Sequence, residues 1–357
     1  MPTDPTALTV DTPFVPDDDT YHEPTVDDPL WFETTWWSFA VPERRIGGWL
    51  HAGRHTNRGT CTWRVFVWDP TGADPGRLPY YKMVSDIPID DGVDLRDITF
   101  PQGGFSVKML TPLMDYHVAY ADPDARFGIE FEHRSVHPPF RFTPGEAPAL
   151  HNPHLDQLGH LTGELVLDGE RIAIDCHSIR DRTWGPRSRH HSHGAQPPVD
   201  ARARVAHPGG TQWREIERER GRGRIQYIFG HTGAETGFLS FVRPQDGTPD
   251  GWSPLNMGWL LKEGRFVRLD TTKSRMRNFR DHETGWSAHM QVELVDLEGR
   301  TMEAEGVAVS HMCEHGAGSN ASMRWEYDGQ IGWGEDQDGW RVDHFARMRR
   351  ALRSFSR

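Results

Sequence analysis

Cys61-Thr62-Trp63-Arg64-Val65-Phe66-Val67 sets Cys61, Trp63, Val65 and Val67 at alternate positions, with Thr62, Arg64 and Phe66 between them. In an extended chain successive side chains point to opposite faces, so this run reads as a strand with two different faces. The same period recurs on both sides of it. Phe105, Val107 and Met109 alternate, as do Tyr116, Val118 and Tyr120, and then Phe127, Ile129 and Phe131, interleaved with Glu130 and Glu132. Turn signals separate the runs. Asp168-Gly169 lies between Leu165-Val166-Leu167 and Ile172-Ala173-Ile174, Glu298-Gly299 between Val292–Leu297 and Thr301–Val309, and Asp328-Gly329 follows Trp325-Glu326-Tyr327. An Asp-Gly pair supplies the positive φ angles of a tight hairpin.

Counting runs gives about eight strands before residue 186 and about seven from 211 to 340, which suits two antiparallel barrels of ordinary size. The stretch 186–210 is rich in Pro, His and Gly and lacks periodicity, so the boundary is expected there. The expected organisation is a flexible acidic tail at 1–27, a first barrel at 28–190, a linker at 191–210 and a second barrel at 211–357. One helix is expected, at the C-terminus, where Phe345, Met348, Leu352 and Phe355 are spaced by three and four with Arg347, Arg349, Arg350 and Arg353 between them. Such a stripe covers a sheet edge or a barrel end.

The chain has 357 residues, a formal net charge of −12 and 14 tryptophans. That charge argues against a nucleic-acid partner, which needs a basic footprint, and against adhesion to anionic lipid. No run approaches the ~20 apolar residues of a membrane helix, and the N-terminus has no apolar signal core. Cys61, Cys176 and Cys313 are few, odd in number and far apart, which fits a reducing cytosol better than a disulfide framework. Homo-oligomerisation is left open.

There is no GxSxG elbow, Walker loop, dinucleotide glycine fingerprint or HExxH, so the common routes to serine hydrolysis, ATP chemistry and hydride transfer lack support. His190, His191 and His193 cluster with Arg187 and Arg189, and His151 and His154 sit near a proline. Zinc needs three or four ligands held tetrahedrally; these histidines come without cysteines or carboxylate spacing, and no metal site is assigned to them.

Three segments stand out. The first is Ile174-Asp175-Cys176-His177-Ser178-Ile179-Arg180-Asp181-Arg182-Thr183-Trp184-Gly185-Pro186-Arg187. Arginines around one aspartate are costly to bury unless the charges pair, so Asp181 reads either as a reactive carboxylate or as the partner of Arg180 or Arg182. His177 lies on the same strand face as Asp181 and is the second acid–base candidate. The second segment, Arg324–Gln337, alternates aromatics with carboxylates through a hairpin. Trp325, Tyr327 and Trp333 read as core with acids facing water, or else Glu335 and Asp336 line a pocket rim. The third runs from Trp31 to Trp37 and on to Gly47-Gly48-Trp49-Leu50-His51-Ala52-Gly53-Arg54, where glycines permit close backbone approach and His51 reaches either a lumen or the surface.

Taken in order, these three segments resemble a bacterial family distantly related to the carotenoid hydratases of the hydroxyneurosporene synthase type, a superfamily that also includes fungal Diels–Alder cyclases. The resemblance spans roughly residues 28–340 and is tightest at Asp181-Arg182-Thr183-Trp184-Gly185. The related motif commonly reads Asp-His-x-Phe/Trp-Gly, and here Arg182 stands at the histidine position. The resemblance implies two lipocalin-like barrels in tandem, an apolar cavity where they meet, and chemistry on a hydrophobic molecule without an organic cofactor. It also implies a function: adding water to, removing water from, isomerising or cyclising a terpenoid- or steroid-like substrate. Asp181 and His177 would be catalytic, and Trp184, Arg182, His51, Trp49, Trp333 and Glu335 would bind substrate. A non-catalytic carrier using the same cavity is the alternative, and a metal-dependent enzyme using the histidine loop is a third.

Overall fold

The computed structural model describes residues 14–28, 31–73, 75–142, 153–186, 226–242, 251–281, 284–313 and 319–338. Among them the chain is all β, with helical geometry confined to short 3-10 turns such as Pro16–Asp19. The expected C-terminal helix, the linker at 191–210 and the His190/His191/His193 loop lie outside the described residues.

The strands of the first half are β1 (Glu33–Val41), β2 (Ile46–His55), β3 (Thr60–Trp68), β4 (Tyr80–Pro88), β5 (Asp97–Thr99), β6 (Ser106–Thr111), β7 (Asp115–Asp122), β8 (Phe127–Ser135), β9 (Phe140–Phe142), β10 (His154–Leu167) and β11 (Glu170–Thr183). Those of the second half are β12 (Gln226–His231), β13 (Gly237–Val242), β14 (Ser253–Lys262), β15 (Arg265–Arg268), β16 (Arg275–Arg280), β17 (Ser287–Val295), β18 (Thr301–Cys313), β19 (Ser319–Tyr327) and β20 (Gln330–Asp338). The three hairpins expected from Asp168-Gly169, Glu298-Gly299 and Asp328-Gly329 join β10 to β11, β17 to β18 and β19 to β20. Asp168 (φ 54°), Gly169 (φ 83°), Asp328 (φ 50°) and Gly329 (φ 71°) take the left-handed conformations such turns require. The three shortest strands, β5, β9 and β15, are too brief to show alternation in the sequence.

Among the described residues only the second half closes. Its ring runs β13-β12-β20-β19-β18-β17-β16-β14 and is sealed by pairing of β13 with β14, an eight-stranded antiparallel barrel with β15 added to β14. The first half is an open eleven-stranded sheet in the order β4-β3-β2-β1-β11-β10-β8-β7-β6-β5, with β9 on the end of β10. This corrects the expectation of two closed barrels. Pro88 ends β4 and Pro101 follows β5, so each edge is interrupted by a residue with no N–H to donate. Ile89, Leu95 and Phe100, with Tyr21 packed beside them, bury the apolar interior at that gap.

The apolar side chains form three clusters: one inside the open sheet, one inside the barrel, and one in the seam between them. β3 shows how the seam arises. Cys61, Trp63, Val65 and Val67 enter the sheet's interior, while Phe66 and Trp68 enter the seam. β1 and β2 are likewise buried on both faces, whereas β7 and β8 alternate between buried and exposed as a one-sided sheet does. Glycines allow the close packing, since a Cβ at Gly48 would lie 2.1 Å from the Phe39 ring. No helix among the described residues is long and apolar enough to cross a membrane. Cys61, Cys176 and Cys313 are buried thiols, none in a disulfide.

Candidate functional site

The period of two divides the Asp181 segment between the faces of β11. Ile172, Ile174 and Cys176 point into the open sheet and Ile179 points into the seam, so Arg180 and Arg182 belong to the first face and His177, Asp181 and Thr183 to the second. On the inner face Arg180 Nη1 donates to Asp19 Oδ1 at 3.0 Å, its Nη2 to Tyr116 Oη at 2.7 Å and its Nε to Gln157 Oε1 at 2.7 Å. Arg182 Nη2 donates to Glu33 Oε2 at 3.2 Å, and Trp184 stacks on His22 with ring centroids 4.3 Å apart. Asp19, within the segment read from sequence as a flexible tail, is 2 % exposed and docked by this pairing. Arg182 and Trp184 are therefore on the opposite side of the sheet from Asp181.

On the seam face, Asp181 is directly opposite Trp36 of β1 and Asp156 of β10. His154, two residues before Asp156 and so on the same face, contacts Asp156 Oδ2 through Nε2 at 3.2 Å, and its Nδ1 lies 2.6 Å from Thr183 Oγ1. One polar atom from each of His154, Asp156 and Asp181 falls within 4.8 Å of the other two. Tyr227 of β12 faces them from the barrel. Its phenol is raised well above its ordinary pKa, first by burial and then by the charges of Asp156, Asp181 and Glu335.

Glu335 is the barrel's own contribution. On β20 it faces outward, opposite Phe229 of β12, and is 4 % exposed. Ser38 Oγ donates to its Oε1, Trp49 Nε1 to its Oε2 at 2.8 Å, and Gln337 Nε2 to Oε2 at 3.5 Å. Burial pushes its carboxyl up to about 8 against the opposing pull of those three donors, so at pH 7 it is mainly protonated. Aromatic edges enclose it: Trp49 is perpendicular to both Trp36 (5.4 Å) and Trp68 (5.7 Å), and Trp36 meets Phe229 and Tyr227 at 6.5 Å. Asp336, the neighbouring residue, points into the barrel interior, where Gln226 Nε2 donates to it at 2.7 Å. Burial and nearby Asp338 raise its carboxyl to about 7. Of the two readings left open by the sequence, acids facing water does not hold for this pair.

Asp181, Trp49 and Glu335 thus all face the seam: Trp49 bonds Glu335, and Trp36, opposite Asp181, packs edge-on to Trp49. His51 lies on the same sheet face opposite Trp36, with its Nδ1 accepting from Arg64 Nε at 3.2 Å, and half-buried Trp333 shares the face of Glu335. His177 is four residues from Asp181, ~13 Å along a strand. It stacks on His160 at 4.8 Å, and burial lowers its pKa, helped by His160. The sequence reading missed His154–Asp156 as a pair, Tyr227, Trp36 as an enclosing ring, and His231. His231 is 3 % exposed with both ring nitrogens buried and without a hydrogen-bond partner among the described residues, and burial lowers it to about 3. The alternation His154-x-Asp156 was a usable signal; that this strand end lies beside Asp181 was not visible without the register.

The fold is similar to that of three solved structures: a Nitrosomonas europaea protein described as AttH (12% identity, TM-score 0.50, 87% of this chain and 92% of that one), kievitone hydratase from Nectria haematococca (9%, 0.50, 88% and 90%), and CghA (12%, 0.51, 87% and 88%). At these identities the likeness establishes a shared architecture, as the three quoted segments led one to expect. No curated protein matches the chain in sequence. Residues 15–196, just over half of the chain, match the family described as Domain of unknown function (DUF7064), and the chain belongs to that family.

Proposed function

We propose that the chain is an acid–base enzyme, needing no organic cofactor, that hydrates, dehydrates, isomerises or cyclises a hydrophobic terpenoid- or steroid-like molecule at the seam. The observation that carries this reading is Glu335, a carboxylic acid held neutral near pH 7 among tryptophans, facing a sheet that bears Asp181, Asp156 and His154. Protonating an alkene carbon requires an acid that keeps its proton at working pH, and desolvation provides one. The resulting cation is stabilised by aromatic faces, worth about 2 kcal/mol each when desolvated. In hydration the Glu335 proton goes to one alkene carbon and water attacks the other. The water's surplus proton passes to Asp181, and exchange with solvent resets both groups. Dehydration is the reverse, and isomerisation replaces attack by water with loss of a proton to Asp181. The name of kievitone hydratase, similar in fold, supports the reaction class.

The test incubates the full chain with polyenes, prenylated aromatics and sterols in ¹⁸O- or deuterium-labelled water, with mass spectrometry of the products. Label in product, lost on Glu335→Gln and on Asp181→Asn by about 10²–10⁴-fold, is the expected result. Ligand binding without labelled product, equal in all three proteins, would favour the carrier.

A further inference from the structure

Residues 14–22 lie across the mouth of the open sheet, on the face away from the seam, and set acids against arginines. Asp17 Oδ1 accepts from Arg96 Nη1 at 2.8 Å, Asp18 Oδ2 from Arg141 Nη2 at 3.4 Å, and Asp19 Oδ1 from Arg180 Nη1 at 3.0 Å. Tyr116 Oη donates to the other oxygen of Asp19. Thr20 O accepts from Arg182 Nη1 at 3.0 Å, and the Tyr21 ring lies 4.8 Å from the Arg54 guanidinium carbon. Guanidinium on one carboxylate oxygen and a phenol on the other is the donor arrangement of a carboxylate receptor.

Three observations separate this from a plain buttress. A cavity of about 10 Å³, room for a single water, sits beside Asp19 and is lined by Trp37, Leu95 and Val107 together with Arg180 and Arg182. Arg182 Nε, on a side chain 1 % exposed, has no partner among the described residues, so the arginines offer more donors than the segment uses. The segment is also held to the sheet by side chains: among the described residues no backbone–backbone bond joins it to a strand, and Asp18 N to Val15 O at 2.9 Å is internal to it. Lifting it breaks no sheet ladder.

We infer that the mouth of the open sheet is a binding site for a small carboxylate with an apolar body, and that Asp19 occupies it as a displaceable stand-in. The ligand's carboxylate takes the place of Asp19 between Arg180 and Tyr116. Its hydrocarbon enters the space bounded by Trp37, Leu95 and Val107, which widens as Asp19–Tyr21 moves out. A neutral alcohol of the same length lacks the charge that Arg180 requires.

The experiment follows hydrogen–deuterium exchange of residues 15–22 in the full chain during titration with hexanoate, with hexanol and ionic-strength-matched chloride as controls. Hexanoate should speed exchange across the segment and the controls should not. Asp19→Asn, which keeps shape but weakens the grip on Arg180, should lower the hexanoate midpoint by about tenfold, the worth of one charge-assisted hydrogen bond. Exchange unmoved by hexanoate, or moved equally by hexanol, overturns the inference. If Asp19→Asn does not fold, the wild-type comparison of hexanoate with hexanol decides alone.

Discussion

Trp49 of the open sheet donates its indole N–H to Glu335 of the barrel over 2.8 Å, so an acid carried by the second half of the chain is held by the first. This bond favours the ionised carboxylate and partly offsets the rise caused by burial. Trp49→Phe keeps an aromatic ring but removes the donor. The alkaline limb of the pH–rate profile, set by loss of the Glu335 proton, should therefore move above that of the wild type. A limb that stays in place, or moves down, would show that this bond does not tune Glu335.

Glu335 also makes stability depend on pH. Its folded value, about 8, lies above its ordinary value of 4.5, so between those limits the folded state binds more protons than the unfolded one. Stability should thus be fully kept below about pH 4.5 and decline as pH rises toward 8, at up to about 1.4 kcal/mol per pH unit for this group. Asp336, raised to about 7, adds to the same slope. Glu335→Gln should flatten the decline while leaving the share due to Asp336, as read from urea unfolding between pH 5 and 8.

Asp181→Asn should leave the melting temperature within a few degrees of wild type while lowering turnover by about 10²–10⁴-fold. Arg180 and Arg182 pair with Asp19 and Glu33 on the other face of β11, so the substitution strands neither arginine. A large drop in melting temperature, with activity following the folded fraction, would assign Asp181 to structure.

Glu33→Gln should behave in the opposite way. Glu33 is buried and accepts from Arg182, from the His22 backbone and from Trp31 Nε1 at 3.2 Å. Losing its charge leaves Arg182 without its partner in the interior, at a cost of about 3–5 kcal/mol in denaturant unfolding. A cost under 1 kcal/mol would mean that the pair is not buried in solution.

Turnover should not depend on a metal. His154, Asp156 and Asp181 bring together three donor atoms that suit a divalent ion as well as a proton relay. Elemental analysis of protein purified without added metal, followed by EDTA treatment, distinguishes the two. Unchanged melting temperature and turnover fit the relay, whereas stoichiometric zinc lost together with activity would not.

Strand alternation, two Asp-Gly turns and one Glu-Gly turn made the all-β class and three hairpins legible, because these signals are local. Barrel closure was not, since it depends on whether β13 meets β14 and whether β4 meets β5, pairings that no short window of sequence contains. The same limit applies at the site. Residue type marks Asp181, Trp49 and Glu335, and all three face the seam, while Arg182, next to Asp181, and Trp184, three residues on, are carried to the other face by the pleat. Glu335 read as a water-facing acid or a rim residue because its burial is created by β1 and β2, nearly three hundred residues earlier.

The most direct measurement is the titration of Glu335 itself, by ¹³C NMR of protein labelled at the glutamate carboxyls, with Glu335→Gln used to assign the signal. A midpoint near 8 is the expected result and makes Glu335 a proton donor at neutral pH. A midpoint between 4 and 5, the range of an ordinary exposed glutamate, would contradict the proposed acid and with it the chemistry assigned to the seam.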